Sequence, residues 1–145
     1  MCGKEEEMAT KAEVLKMLNE DLSDELGSII QYMWHHVSGK GLASAGVLGM
    51  FHAAAIDEMK HAEEIAERID QLGGEPTIKV GEVKTGGNIE KMIRDDLAAE
   101  EAAVERYGAQ IRKIMETDPA TRHMLEDILQ DEERHANDWR TLLES

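Results

Sequence analysis

The chain has very little of several things. Aromatic residues make up 3% of its 145 residues, there are 2 prolines, and there is 1 cysteine. Few aromatics and few β-branched runs argue against a sheet protein, while abundant Ala, Leu, Met, Glu and Lys suit helices. A single Cys2 excludes an intrachain disulfide and any cysteine-rich zinc or iron–sulfur site. No apolar run of membrane-spanning length and no signal-type segment after Met1 is present, which predicts a soluble, cytoplasmic protein with no membrane partner. Basic residues are also scarce, 16 against 31 acids, for a net charge of −15. A nucleic-acid partner is therefore not expected, because neutralising phosphates needs a basic surface. An acidic surface instead concentrates cations, although solubility alone accounts for much of such charge.

What the chain does have is a repeat. Asp57-Glu58-Met59-Lys60-His61 is echoed by Asp131-Glu132-Glu133-Arg134-His135, 74 residues later. Each contains E-x-x-H, and three residues along a helix leave two side chains about 60° apart and one turn apart in height, close enough to meet on one metal ion. Asp21-Leu22-Ser23-Asp24-Glu25 with Tyr32 is likewise echoed by Asp96-Leu97-Ala98-Ala99-Glu100 with Tyr107, offset by 75. The chain reads as two copies of one helical hairpin, each giving a lone Glu and then an E-x-x-H unit.

One domain of four helices follows. Residues 1–10 form a short acidic arm, and helices are expected over 11–38, 44–72, 88–116 and 119–143. Gly39-Lys40-Gly41 breaks the first helix, Gly73-Gly74 stops the second, and Asn88 and Asp118-Pro119 are cap signals. The inward stripes are Leu15, Leu18, Leu22, Glu25, Ile29 and Tyr32; Phe51, Ala54, Glu58, His61, Ile65 and Leu72; Ile93, Leu97, Glu100, Val104, Tyr107, Ile111 and Ile114; and Leu125, Ile128, Glu132, His135, Trp139 and Leu142. Residues 73–87, including a β-prone Thr77-Ile78-Lys79-Val80, could span about 50 Å when extended, against about 42 Å for a 28-residue helix. They can cross the whole bundle, whereas the other two turns permit only antiparallel neighbours.

All four stripes carry polar groups at mid-length. A single unpaired buried carboxylate costs several kcal/mol or more, against a total stability of about 5–15 kcal/mol. Four of them require compensation, and two divalent cations supply it. The four carboxylates and two imidazoles suit iron or manganese, admit zinc, and offer no soft ligand for copper(I).

These motifs resemble bacterioferritin, in the ferritin-like di-iron carboxylate family, from about Leu18 to Trp139. Asp57-Glu58-Met59-Lys60-His61-Ala62 matches that family's second-helix motif, while Glu25 through Gln31-Tyr32, Asp96-Leu97-x-x-Glu100 and Asp131-Glu132-Glu133 with His135 match the others. The resemblance implies an all-α, ferritin-like four-helix bundle with a long crossover between helices two and three. It implies a ferroxidase holding two iron ions per subunit on Glu25, Glu58, His61, Glu100, Glu132 and His135, with Glu58 and Glu132 bridging. It implies Fe(II) as substrate, O₂ or H₂O₂ as oxidant, and Fe(III) mineral stored in a hollow homo-oligomer. Met59 matches the methionine that ligates haem or a related iron-porphyrin on a two-fold axis, one from each of two subunits, with Leu26, Ile29 and Ile30 as an apolar wall; ordinary packing is the alternative role.

The family's fifth helix has no counterpart after Trp139, which favours a dodecamer over a 24-mer. Tyr32 and Tyr107, two turns from Glu25 and Glu100, are either close supports of the ligands or plain core tyrosines. His35, His36, His52 and His123 fit no ligand pair and are expected to be solvated or core residues. Two other functions stay open: a rubrerythrin-like di-iron peroxidase, which would need a partner for its electrons, and a non-catalytic helical interaction protein.

Overall fold

The computed structural model describes residues 9–144, so of the expected arm only Ala9 and Thr10 are seen, and Cys2 lies outside the described residues. Four helices follow: α1 (Lys11–Ser38), α2 (Ser44–Gln71), α3 (Ile89–Ile114) and α4 (Pro119–Leu143). Local chemistry sets three of their starts. Thr10, Asn88 and Asp118 each accept a hydrogen bond from the backbone N–H three residues on, and Pro119 occupies the first turn of α4, where its missing N–H costs nothing. α2 has no side-chain cap. α2 ends one residue before Leu72, and α3 starts just after its cap and stops two residues short of Glu116, at Met115 with its φ of 48°.

Side-chain contacts give the topology. Gln31 bonds Asp96 and Gln110 bonds Asp21, so α1 and α3 run antiparallel; Arg68 bonds Thr121 and His61 bonds Asp131, so α2 and α4 do too. The crossover lies along α1 in the direction of that helix. Asn19 holds Glu75 and Thr77, the Ser23 carbonyl accepts from Gly81 N at 2.8 Å, and Gln31 and His35 hold Lys84. Gly27 allows this approach, since a Cβ there would sit 2.9 Å from the Glu82 carbonyl oxygen. The β-prone run forms no strand, because α1 offers it side chains and a single carbonyl rather than a free strand edge.

Two apolar clusters fill the bundle. One gathers Leu18, Leu22, Ile65, Ile69, Tyr107 and Leu125; the other gathers Tyr32, Phe51, Met92, Ile93 and Trp139. The carboxylate–imidazole layer lies between them. Two expected inward residues depart from the core: Val104 is half-buried and belongs to neither cluster, and Leu142 is exposed while Leu143 packs on the second cluster instead. Leu143, four residues after Trp139, continues the inward stripe, which leaves Leu142 turned away from it. None of the described helices is long and apolar enough to cross a membrane.

Candidate metal centre

Each helix brings its mid-length polar residues to one place. Glu25, Glu58, His61, Glu100, Glu132 and His135 are all 5% exposed or less. They form two overlapping groups: Glu25, Glu58, His61 and Glu132, and then Glu58, Glu100, Glu132 and His135, with one ligand atom from each residue within 4.8 Å of the others. Glu58 and Glu132 belong to both groups. All six residues singled out in the sequence therefore meet.

The two imidazoles are aimed by an arrangement that crosses between helices. His61 Nε2–H donates to Asp131 at 2.8 Å, and His135 Nε2–H donates to Asp57 at 2.9 Å. Each Asp that precedes one E-x-x-H glutamate thus orients the histidine of the other unit. This leaves Nδ1 of both rings facing the centre. His61 Nδ1 lies 3.1 Å from Glu132, and His135 Nδ1 lies 3.2 Å from Glu58 and 3.3 Å from Glu100. Carboxylates behind metal-bound histidines fix tautomer and ring orientation in this way. The aspartates were visible as part of the repeat, but their crossed pairing needed the packing of α2 on α4.

The lone glutamates are held symmetrically as well. Tyr107 Oη–H donates to Glu25 at 2.6 Å, and Tyr32 Oη–H donates to Glu100 at 2.5 Å while accepting from Trp139 Nε1 at 2.8 Å. Both tyrosines therefore support a carboxylate of the cluster. Behind them, Asp21 accepts from Arg106 and Gln110, and Asp96 accepts from Gln31 and His35. Gln31 and His35 stand at the repeat positions of Arg106 and Gln110, 75 residues apart, so the two halves brace each other by the same device. His35 is thus a core residue with a task.

Seven buried atoms of the cluster have no hydrogen-bond partner: Glu25 Oε2, both oxygens of Glu58, His61 Nδ1, Glu100 Oε2, Glu132 Oε1 and His135 Nδ1. That is costly in a metal-free protein, and protons take over part of the compensation. Burial, then the charges of Glu25, Glu132 and Glu100, hold the Glu58 carboxyl well above its ordinary range. Burial and Glu132 do the same to Glu100. Burial alone would lower His61, but Glu132 and Glu25 outweigh it and raise the ring to about 11. Burial would likewise raise Glu132, but the His61 ring, 3.1 Å away, and the neighbouring carboxyls hold it down at about 2. The centre gathers more negative charge than it can keep without cations. The donor set, hard carboxylates with one imidazole per group, fits two divalent ions of the iron or manganese type.

A cleft of about 300 Å³ between α1 and α3, beneath the crossover, reaches the centre. Asp24, Lys84, Asp95 and Arg106 stand along it, and Glu25 and Glu132 form part of its lining. Ala98, Ala99, Ala102 and Ala103 keep that side of α3 low. Met59 lies elsewhere. It is 43% exposed on α2, with Ile56 exposed one turn away and Met33, Trp34 and Val37 exposed on α1.

The Ferritin-like domain model matches residues 15–145. The bacterioferritin of Desulfovibrio desulfuricans is 37% identical over 137 residues, 93% of this chain and 75% of that protein. Its solved structure, which concerns a diiron site in different catalytic states, superposes with a TM-score of 0.84 over 91% of this chain and 78% of the other. A ferritin-like diiron-carboxylate protein of Bacillus anthracis gives a TM-score of 0.88 at 28% identity, covering 94% of this chain and 99% of that one. A dodecameric thioferritin of Bacteroides fragilis gives 0.87 at 26%, covering 92% and 86%.

Proposed function

This chain belongs to the ferritin-like family, and we propose that it works there as a ferroxidase that also stores iron. Its substrate is Fe(II), its oxidant O₂ or H₂O₂, and its product an Fe(III) mineral kept inside a hollow homo-oligomer in the cytoplasm. The observation that carries this reading is the set of seven partnerless buried atoms converging in two overlapping ligand groups. A metal-free interaction bundle has no reason to keep that cost in its centre.

Two Fe(II) bound side by side supply the two electrons that the oxidant takes up. The protein's part is binding, orientation and charge. Glu25 with His61, and Glu100 with His135, would hold one ion each, and Glu58 and Glu132, common to both groups, would serve both. Asp131 and Asp57 keep both imidazoles turned inward. Tyr107 and Tyr32 fix one oxygen each of Glu25 and Glu100, leaving Oε2 of each for the metal. Net charge of −15 draws cations toward the particle, and the cleft beneath the crossover supports a route from solvent to Glu25 and Glu132.

Aerobic Fe(II) loading of metal-free protein, followed by gel filtration and iron counting, tests this. Retention far beyond two irons per chain in a large particle is expected. Saturation at two points to a di-iron enzyme such as a peroxidase, and retention of none sinks the reading. The same column reports the shell, for which the dodecameric relative supports a mass twelve times that of the chain rather than twenty-four. Glu58→Ala is expected to leave helicity intact and abolish rapid iron oxidation; wild-type rates in that variant would defeat the assignment of the bridge.

We further propose a haem or related iron-porphyrin on a two-fold interface, with Met59 of each of two subunits as axial ligand. Met59's partial exposure on α2, one turn from the exposed Ile56 on the same side of the helix, fits such a group. Met59→Leu should then abolish Soret absorbance, and an unchanged Soret band would exclude Met59.

A further inference from the structure

A second pair of histidines, outside the carboxylate centre, faces itself across the α1–α2 seam. His36 lies near the end of α1 and is half-buried; His52 lies on α2 and is exposed. Their ring centroids are 4.9 Å apart, with an interplanar angle of 50°. Two imidazoles sharing one ion at the usual metal–nitrogen length of about 2.0–2.1 Å have ring centres about 4.5–5.2 Å apart for ligand angles of about 90–109°. The spacing is that of a chelating pair.

One member of the pair is also held in place. His36 Nδ1–H donates to the Leu48 carbonyl at 2.8 Å, which fixes its tautomer and leaves Nε2 with its lone pair free. Leu48 is one turn before His52 on the same helix, so this bond fastens one ring beside the other. The seam is tight here: a Cβ on Gly39 would come within 2.5 Å of the Leu48 side chain and 2.8 Å of Ile89. His123, by contrast, is a solvated histidine whose nearest charged partner is Asp127 on its own helix.

We propose that His36 and His52 form a second metal site, which chelates one borderline divalent transition ion through His36 Nε2 and the His52 ring. Water fills the remaining positions, since the exposed side of His52 opens to solvent. Two neutral imidazoles without a carboxylate favour Cu²⁺, Ni²⁺ or Zn²⁺ over the hard ions that suit the centre. His52 is six residues before Glu58, about 9 Å along the helix axis, so an ion here is separate from those at the carboxylates.

The two sites differ in one countable way. Each ligand group of the centre contains a single histidine, whereas this site contains two. Cu²⁺ titrated into the assembled protein to three equivalents per chain, and followed by electron paramagnetic resonance, separates them by nitrogen hyperfine structure. The expected result is a two-nitrogen component in wild type that is lost in both His52→Ala and His36→Gln, while the one-nitrogen component and the circular dichroism persist. Absence of a two-nitrogen component at every loading overturns the proposal, as does its survival in both variants. Loss of the one-nitrogen component alone would instead count against the di-iron reading and leave this site standing.

Discussion

The residues that decide the centre are those just behind it as much as the ligands. Asp57 and Asp131 are about a third exposed, yet each fixes the ring of a nearly buried histidine. Groups in this position typically contribute about 10–100-fold to metal affinity. His61 and His135 belong to different ligand groups, so the two aspartates would act on different ions. Asp131→Ala should weaken only the binding step that uses His61, and Asp57→Ala only the step that uses His135. Stepwise titration with Fe(II) under anaerobic conditions reads this directly, as one constant falling by about 10–100-fold while the other stays. Equal weakening of both steps in either variant would mean that the aspartates act through general charge.

The elements show how helix chemistry places that residue layer. α4 begins at Asp118, whose carboxylate accepts from Thr121 N and pairs with Arg68 of α2 at 2.9 Å. This end-stop sets the register in which Glu132 and His135 meet α2. Burial would raise the Asp118 pKa, but the Thr121 hydrogen bonds and Arg68 outweigh it and lower the pKa below 3.8. The folded value is therefore below the unfolded one, so its stabilisation is present above the unfolded pKa and is lost as pH falls through the folded one. Asp118→Ala should cost about 1–2 kcal/mol at neutral pH. In denaturant titrations the gap to wild type should narrow as the pH drops below 3.8; a gap independent of pH would remove the ionised cap from the account.

At this scale most of the architecture was legible. The three-and-four spacing of Leu18, Leu22, Glu25 and Tyr32, the caps and the glycine stops carry local information that survives without the fold. The six centre residues were legible because buried charge in an apolar stripe has few explanations, and because the pattern occurs twice. Two things were not. The crossed Asp–His pairs depend on the mutual rotation of α2 and α4, and the brace of His35 on Asp96 depends on the α1–α3 contact. Each is set by packing between segments distant in sequence, to which periodicity within one segment is blind.

For the whole molecule, the centre is where folding and metal binding would become one equilibrium. One ligand group draws on α1, α2 and α4, and the other on α2, α3 and α4, so each ion would tie three helices together. Without ions, the layer between the two apolar clusters holds four buried carboxylates and several partnerless atoms, a cost that the apolar layers do not carry. Ions that bind only the native state add RT ln(1 + [L]/Kd) each, about 4 kcal/mol per site at a free concentration a thousand times Kd. Metal-loaded protein should therefore unfold at markedly higher denaturant than metal-free protein at equal chain concentration. A chelator should reverse the shift, and Asp131→Ala should shrink it by weakening one of the two ions. Coincident unfolding curves with and without metal would mean that protons satisfy the centre as well as cations do, and that its buried charge does not call for metal.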